Sequence, residues 1–333
     1  MNTGNEKVSN NPTTYDRISG GYYIKARQIK NSWITHSAPV VREVWDYLLR
    51  EANHKDAKYN GLTIKRGQLF RKYSEYTDLA SEILGYSILD VCEGCSSFGL
   101  ESLNQTFYAQ PAIFVLSCLT FIDYQSNAKS SSNIDICIGH SLGLFSSLFA
   151  AGIFTFEQGL EIVKTRASLM QKASEGGMAA IIGEGVRDLY SLLISNEFFD
   201  IDIANYNGPK QVVISGPVES IVNVQTFIES QGMRYIRLNV SGAFHSKLME
   251  PARIQFANYL TNVEFNEPNL KVISTTNGEE ISSKFMIEEL SYQLVRPVRW
   301  YQTVLSLYKK YSNVTFVELG PGSVLTSLNN YIL

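Results

Sequence analysis

The sequence has no run of about 18 consecutive apolar residues, which is the length that a transmembrane helix needs. Residues 1–15 are polar and contain no apolar stretch of the kind found in secretory signal peptides. Cysteine is scarce, with four residues in 333, and these thiols are expected to stay reduced. These absences predict a cytoplasmic protein without a membrane partner.

The sequence is also poor in metal-ligand patterns. Cys92 and Cys95 form a single C-x-x-C pair, whereas a structural zinc site usually takes four ligands. We therefore expect no metal site, and we interpret the two cysteines as incidental thiols rather than as a redox pair.

Charge is distributed unevenly along the chain. Residues 1–73 contain 13 Lys/Arg and 6 Asp/Glu, a net charge of +7, whereas the remainder contains 16 and 26, a net charge of −10. Such asymmetry suggests segments with different partners or origins. We expect a disordered tail over 1–19 and an atypical basic segment over 20–74, with an amphipathic helix over 39–53.

Beyond residue 74, strands alternate with helices, which predicts an α/β fold with a parallel sheet. The stretch 178–240 has the order β-α-β-β-α-β, which indicates a ferredoxin-like subdomain. It interrupts an α/β-hydrolase-like core formed by 75–177 and 241–333. The main elements predicted in this core are helices over 77–84, 110–124 and 156–173 and strands over 133–138, 271–275 and 314–319.

The strongest chemical signal is the sequence IDICIGHSLG over 134–143. A strand, the pattern G-x-S-x-G and a helix follow one another, as in a nucleophile elbow. The sharp turn would expose the hydroxyl of Ser141, and Gly139 and Gly143 would let the strand and the helix approach closely. The amide of Leu142 would lie at a helix N-terminus, where it could stabilise an oxyanion.

A serine nucleophile needs a base, and the chain has four histidines. His36 and His54 lie in the basic segment, and His140 adjoins the serine, so that its side chain would point away. His245 lies in a loop after the inserted subdomain, which can return to the carboxyl edge of the sheet. A purely structural loop histidine fits this spacing equally well. No acidic third member stands out, although a backbone carbonyl can also orient an imidazole.

At these residues the chain resembles the malonyl-CoA:acyl carrier protein transacylases of fatty acid synthesis and the acyltransferases of polyketide synthases. The likeness extends over about 76–333. Eight stretches in the same order carry it: LNQTFYAQPAIF (103–114), GHSLG (139–143), RASLMQ (166–171), MAAIIG (178–183), NYNGPKQVVISG (205–216), GAFHSKLMEPA (242–252), LVRPVRW (294–300) and FVELGPGSVL (316–325).

The resemblance implies roles for particular residues, besides Ser141 as nucleophile and His245 as base. Gln293 would orient the histidine through its main-chain carbonyl. Arg166 would bind the free carboxylate of a malonyl group, a pairing that suits a guanidinium fork. Without the resemblance, Arg166 would be taken for a surface arginine. Phe244 would favour malonyl over methylmalonyl units, and His140 and Asn207 would bind substrate.

The implied activity is that of an [acyl-carrier-protein] S-malonyltransferase with a malonyl ester on Ser141 as intermediate. Malonyl-CoA, an acyl carrier protein and polyketide synthase modules are the expected partners, and nucleic acid is not. No cofactor is expected, because the carrier protein brings its own phosphopantetheine. Two alternatives remain: an acyl hydrolase acting on carrier proteins, and a catalytically impaired fusion with a DNA-binding-like N-terminus.

The N-terminal part departs from the family pattern. The apolar strand and G-Q-G-S-Q loop with which the family begins are not found, and only Gly67-Gln68 within LTIKRGQLF (62–70) has anything in common with them. Leu144 stands where the family usually has an acidic residue. Residues 20–73 instead weakly resemble the start of a winged-helix module in phage-type replication initiators. The loop's oxyanion donor would then be missing, which typically costs about 10²–10³ in rate.

Overall fold

The computed structural model describes residues 17–18, 21–22, 57–59, 62–64, 67–95, 97–126, 134–173, 175–240 and 242–333. The strands among them are β1 Arg17–Ile18, β2 Gly21–Tyr22, β3 Ala57–Tyr59, β4 Leu62–Ile64, β5 Ile136–Ile138, β6 Gly177–Ile182, β7 Asp202–Gly208, β8 Gln211–Gly216, β9 Arg234–Arg237 and β10 Lys271–Ile273. The α-helices are α1 Gln68–Lys72, α2 Ser74–Leu84, α3 Ile88–Glu93, α4 Thr106–Ser126, α5 Gly143–Ala150, α6 Phe156–Lys172, α7 Leu189–Ser195, α8 Val218–Ser230, α9 Glu250–Leu260, α10 Met286–Tyr292, α11 Trp300–Lys310 and α12 Val324–Ile332.

The stretch expected to be ferredoxin-like forms a four-stranded antiparallel sheet with the order β7-β8-β6-β9. Helix α7 connects β6 to β7, and α8 connects β8 to β9, so the predicted β-α-β-β-α-β order is confirmed. Successive residues of a strand point to opposite faces. Accordingly, Ala179 and Ile181 pack with the two helices, whereas Met178 and Ala180 belong to the larger hydrophobic core. The exact limits of this subdomain remain a prediction.

The larger core contains a parallel pair of strands, β5 and β10, with Cys137 opposite Val272. Helices α4, α5 and α6 pack against one another, and α5, which follows β5 after only four residues, also packs against that strand. Burying both faces of parallel strands requires such a cover of helices. The predicted α/β class and its parallel sheet are therefore confirmed, and the carboxyl end of β5 presents the sequence GHSLG.

The prediction of a strand over 314–319 is wrong. In the structure this segment pairs with none of the described strands. Its burial nevertheless alternates, because Val314 and Phe316 are partly buried and Thr315 and Val317 are exposed. The apolar alternation correctly indicates which side chains face inward. A strand also needs a neighbouring backbone with which to exchange hydrogen bonds, and this segment forms no such ladder with a described strand, although Phe316 and Ile138 of β5 pack in the same hydrophobic cluster.

Helix α4 is the element around which the larger core is built. By length and composition it could cross a membrane, with a mean hydropathy of 1.3 over its most apolar window. However, 67% of that window is buried inside the protein, and the core helix of a soluble protein passes the same test. Phe114 and Leu119 of α4 are fully buried in the main hydrophobic cluster, which indicates a core helix.

Helix α6 is held at its start by a reciprocal pair of hydrogen bonds. The hydroxyl of Thr155 accepts from the amide of Gln158 at 3.2 Å, and the Gln158 side-chain oxygen accepts from the amide of Thr155 at 3.0 Å. This capping box satisfies two of the free N–H groups at the helix N-terminus. It fixes the start of the helix that carries Arg166.

Several predictions for the N-terminal part lie outside the described residues. They include the amphipathic helix over 39–53 and most of the disordered tail predicted over 1–19. Within that tail the structure describes only Arg17–Ile18, which pair with Gly21–Tyr22. The backbone of 57–59 pairs with that of 62–64. Gly67, with φ of 68°, then precedes α1. The limits expected for the basic segment stay a prediction.

Candidate active site

The turn between β5 and α5 lifts Ser141 out of the sheet. Ser141 has a φ of 50°, a left-handed conformation that costs a non-glycine residue roughly 1–3 kcal/mol. A Cβ at Gly139 would lie 2.0 Å from the carbonyl carbon of Gly143, so the turn requires glycine there. Gly143 itself has open space around it, and the expectation that both glycines allow close approach holds only for Gly139.

Ser141 and His245 meet although 104 residues separate them in the sequence. The Ser141 Oγ lies 2.8 Å from His245 Nε2, and both residues are buried. His245 also has a positive φ, of 60°. Its loop is held by the Ser246 hydroxyl, which donates to the carbonyl of Ala243 at 2.6 Å. The strained turn and the returning loop thus form a nucleophile–base pair in geometry.

The second ring nitrogen of His245 faces two backbone carbonyls. Its Nδ1 lies 2.8 Å from the carbonyl oxygen of Gln293 and 3.1 Å from that of Arg296. Because carbonyls only accept hydrogen bonds, Nδ1 carries the proton and Nε2 is left to accept from Ser141. Gln293 directly follows α10, where the last helical carbonyls have no partner within the helix. Carbonyls therefore take the place of the missing acidic residue.

Burial lowers the pKa of His245 to about 3, and the positive charge of Arg166 is the next largest cause. Burial also lowers the pKa of His140. Both imidazoles are therefore neutral at neutral pH. A neutral imidazole with a free Nε2 lone pair is the form in which histidine acts as a general base.

The stability of the protein should depend on this buried neutral histidine. An unfolded histidine has a pKa of about 6.5, so below that pH the unfolded chain takes up a proton that native His245 refuses until about pH 3. The free energy of unfolding should therefore fall as the pH is lowered from about 6.5 to 5. His245→Gln should show a slope smaller by up to about 1.4 kcal/mol per pH unit. Urea unfolding of both proteins at several pH values measures this, and equal slopes would contradict it.

Arg166 is 1% exposed and is among the largest fully buried side chains, so the surface position that the sequence alone favoured is wrong. Its Nη1 donates to Gln110 Oε1 at 2.5 Å, and its Nη2 donates to Gln293 Oε1 at 3.1 Å. The same Nη2 lies 3.4 Å from Ser141 Oγ. The guanidinium also lies 5.3 Å from the centre of the Phe145 ring. A cation is thereby held beside the Ser141 hydroxyl.

His140 and Asn207 are also near the turn, and they bind each other. His140 Nε2 lies 2.9 Å from Asn207 Oδ1, and the imidazole is 5.8 Å from the ring of Trp300. Asn207 belongs to β7, so this contact joins the small sheet to the nucleophile turn. The side chains of His140 and Ser141 point to different partners, as expected for adjacent residues. Substrate binding by the pair remains a prediction.

The two other predicted site residues flank the serine and the histidine. Leu142 directly precedes α5, so its amide lies at the N-terminus of this helix, where the helix dipole favours an anion. Phe244 directly precedes His245 and is buried in the main core. Their roles as oxyanion donor and as specificity residue remain predictions.

Sequence reasoning missed two contributions to the site. The sequence places Gln110 in an apolar helix and predicts no role for it, although a lone amide among apolar residues is a signal of a buried polar contact. The side chain of Gln293 was missed as well. Its Nε2 donates to the carbonyl of Ser141 at 2.8 Å, while its main chain orients His245. Gln293 therefore contacts His245, the backbone of Ser141 and Arg166.

Among the described residues, no group of three or more His, Cys, Asp or Glu side chains is arranged to hold a metal ion. The four cysteines are free thiols, with Cys92 buried and Cys95 exposed. The paired C-x-x-C cysteines therefore face different environments.

Comparisons with known proteins agree with this geometry. The chain is 38% identical over 262 residues to the polyketide biosynthesis malonyl CoA-acyl carrier protein transacylase PksC of Bacillus subtilis, which covers 78% of this chain and 89% of that protein. A malonyl CoA-acyl carrier protein transacylase from Burkholderia pseudomallei has a similar structure, with a TM-score of 0.74 and 38% identity over 80% of this chain and 91% of that one.

A second similar structure shows a malonyl-transacylase in complex with a type II polyketide synthase acyl carrier protein. Its TM-score is 0.72 at 30% identity, and the match covers 80% of this chain and 86% of that one. The sequence also matches the family described as acyl transferase domain over residues 34–330. That match begins inside the basic N-terminal segment rather than at residue 76. With its nucleophile turn, its inserted four-stranded sheet and these matches, the chain belongs to the acyl transferase domain family.

Proposed function

We propose that this chain transfers a malonyl group from malonyl-CoA to the phosphopantetheine thiol of an acyl carrier protein, through an ester on Ser141. One observation carries the proposal. The Ser141 hydroxyl lies 2.8 Å from the Nε2 of a neutral histidine and 3.4 Å from a buried arginine. A nucleophile, a base and a carboxylate-binding cation thus converge on one oxygen atom. Transacylases of this kind are the relatives to which the chain is similar.

In the first half of the reaction, His245 Nε2 takes the proton of Ser141 as Oγ forms a bond to the malonyl carbonyl carbon. The amide of Leu142 donates to the oxyanion that develops. When the carbon–sulfur bond breaks, the imidazolium returns the proton to the sulfur of coenzyme A. The phosphopantetheine thiol then repeats these steps in the opposite direction and frees the serine. The cycle uses no cofactor beyond the groups that donor and acceptor bring.

Arg166 supplies selectivity in this proposal, because its guanidinium can pair with the free carboxylate of the malonyl group. An acyl hydrolase that clears varied chains would gain nothing from such a cation, so the hydrolase alternative is not favoured. The DNA-binding alternative depends on 20–73, where the structure describes only short backbone segments and α1 before Tyr73. Four free thiols fit a cytoplasmic setting, which is part of the proposal.

Competition between acyl donors tests the proposal. The protein is incubated with a phosphopantetheinylated carrier protein and an equal mixture of malonyl-, methylmalonyl- and acetyl-CoA, and the carrier's mass is measured. Malonyl carrier should dominate, because Arg166 binds the carboxylate and buried Phe244 leaves little room for a methyl branch. Arg166→Ala should lower malonyl kcat/KM by about 10²-fold. Release of free malonate in place of transfer would instead support the hydrolase.

A further inference from the structure

Arg166 keeps a positive charge in the site without an acidic partner. Its two hydrogen-bonding neighbours besides Ser141 are the neutral side-chain oxygens of Gln110 and Gln293. None of the ion pairs between described residues includes Arg166. Buried charges in proteins are normally paired. An unpaired buried guanidinium is therefore a feature that needs an explanation.

Both glutamines are held so that their oxygens face the arginine. Gln110 Nε2 donates to Thr106 Oγ1 at 2.7 Å, and Gln293 Nε2 donates to the carbonyl of Ser141 at 2.8 Å. The Ser141 carbonyl only accepts, so it fixes the orientation of the Gln293 amide, and the guanidinium only donates, so the end of Gln110 that faces it is the oxygen. Glutamate in either position would pair with the guanidinium and cancel its charge. The amides hold the cation in position and leave its charge available.

The Ser141 hydroxyl is in contact with both this charge and His245. Arg166 Nη2 lies 3.4 Å from Ser141 Oγ, which lies 2.8 Å from His245 Nε2. Burial is the largest cause that lowers the pKa of His245, and the charge of Arg166 is the second largest. The other groups near His245 bring no charge into contact with it. His140 is neutral, and Arg296 contacts the imidazole through its carbonyl while its guanidinium lies over the Tyr292 ring.

We propose that the charge of Arg166 controls how readily His245 accepts a proton. While the guanidinium has no anionic partner, it disfavours the positive charge that His245 must take up, and an acyl carboxylate removes this effect by pairing with the guanidinium. We call this control the charge gate. The carboxylate then does more than bind, because it also speeds the chemical step. Acetyl groups bind beside an uncompensated cation and react slowly. This inference rests on the proposed malonyl transfer and adds a kinetic origin for its selectivity.

The variant Gln110→Glu tests the gate, since it puts a carboxylate where an oxygen already lies 2.5 Å from Arg166 Nη1. The readout is the single-turnover rate at which acyl-CoA esterifies Ser141, followed by intact mass. We expect the acetylation rate to rise by about 10-fold or more, because two like charges near each other in a protein interior repel strongly. The malonylation rate at limiting donor should fall by about 10²-fold, because the binding charge is already used.

Two matched variants separate charge from shape and from surface effects. Gln110→Met has a similar size but no charge, and it should not raise the acetylation rate. Gln302→Glu makes the same chemical change on an exposed position of α11, and it should leave both rates within about twofold. A gain in acetylation that is confined to Gln110→Glu would therefore report the charge beside Arg166.

A second experiment uses the unaltered protein, so it does not depend on the folding of a variant. Formate added with acetyl-CoA supplies separately the carboxylate that malonyl carries within one molecule. Formate should raise the single-turnover acetylation rate to a plateau, and it should have no effect on Arg166→Ala. If neither formate nor Gln110→Glu raises acetylation while malonyl still esterifies Ser141, the gate is wrong and the proposed transfer stands. If no malonyl ester forms on the unaltered protein, the proposed function fails first.

Discussion

Ser141→Ala is expected to lose the malonyl ester and to slow transfer to the carrier protein by about 10⁶-fold, as when the nucleophile of a catalytic unit is removed. Only the hydroxyl of Ser141 lies 2.8 Å from the base, so no other described group can take its place. The structural cost should be small, because the turn keeps its glycine at 139 and the backbone contact to Gln293 Nε2.

Intact mass after incubation with malonyl-CoA measures this effect directly, and carrier-protein mass gives the rate. Ser147→Ala is the matched control, since this serine lies on α5 and its hydroxyl donates to the carbonyl of Gly143 at 3.1 Å. It should acquire the ester at nearly the normal rate. A malonyl adduct on Ser141→Ala, mapped to another residue, would overturn the assignment of the nucleophile.

The second large effect is expected for His245→Ala, which should slow formation of the ester by about 10⁴–10⁶-fold. Without the imidazole, the Ser141 hydroxyl has no group to accept its proton. The carbonyls of Gln293 and Arg296 also lose their Nδ1 donor. The Gln293 carbonyl is buried, and leaving it without a partner should lower the free energy of unfolding by about 1–3 kcal/mol, whereas Arg296 is exposed and its carbonyl can turn to water.

Added imidazole distinguishes a lost base from a damaged fold. It should restore part of the activity of His245→Ala and none of the activity of Ser141→Ala. Thermal unfolding shows whether the His245→Ala protein is still folded at the assay temperature. A folded His245→Ala protein that forms the malonyl ester at the normal rate would show that another group accepts the proton.

The sequence contains enough to predict the fold class and the serine turn. The strand, turn and helix around Ser141 are local, and their spacing is visible within ten residues. The ferredoxin-like subdomain is also local in this sense, because each of its elements shows its own period. Its strands meet in an order that the β-α-β-β-α-β sequence largely determines.

The environment of Arg166 could not be predicted in this way. Its partners Gln110 and Gln293 lie 56 and 127 residues away along the chain, so no local pattern connects them. A charged residue on an amphipathic helix is normally exposed, and only the resemblance suggested otherwise. The prediction of a strand over 314–319 is wrong for a similar reason, because strand pairing depends on which backbone lies beside the segment in the fold.

The two carbonyls that orient His245 have a consequence for the kind of substrate the site can accept. In a serine–histidine–aspartate triad the third residue is an anion, and it would repel the free carboxylate of an acyl donor and compete for the guanidinium. In this protein no described carboxylate contacts the imidazole or Arg166. Backbone carbonyls orient the imidazole without adding a negative charge, so the guanidinium of Arg166 has no anionic competitor among the described side chains it contacts.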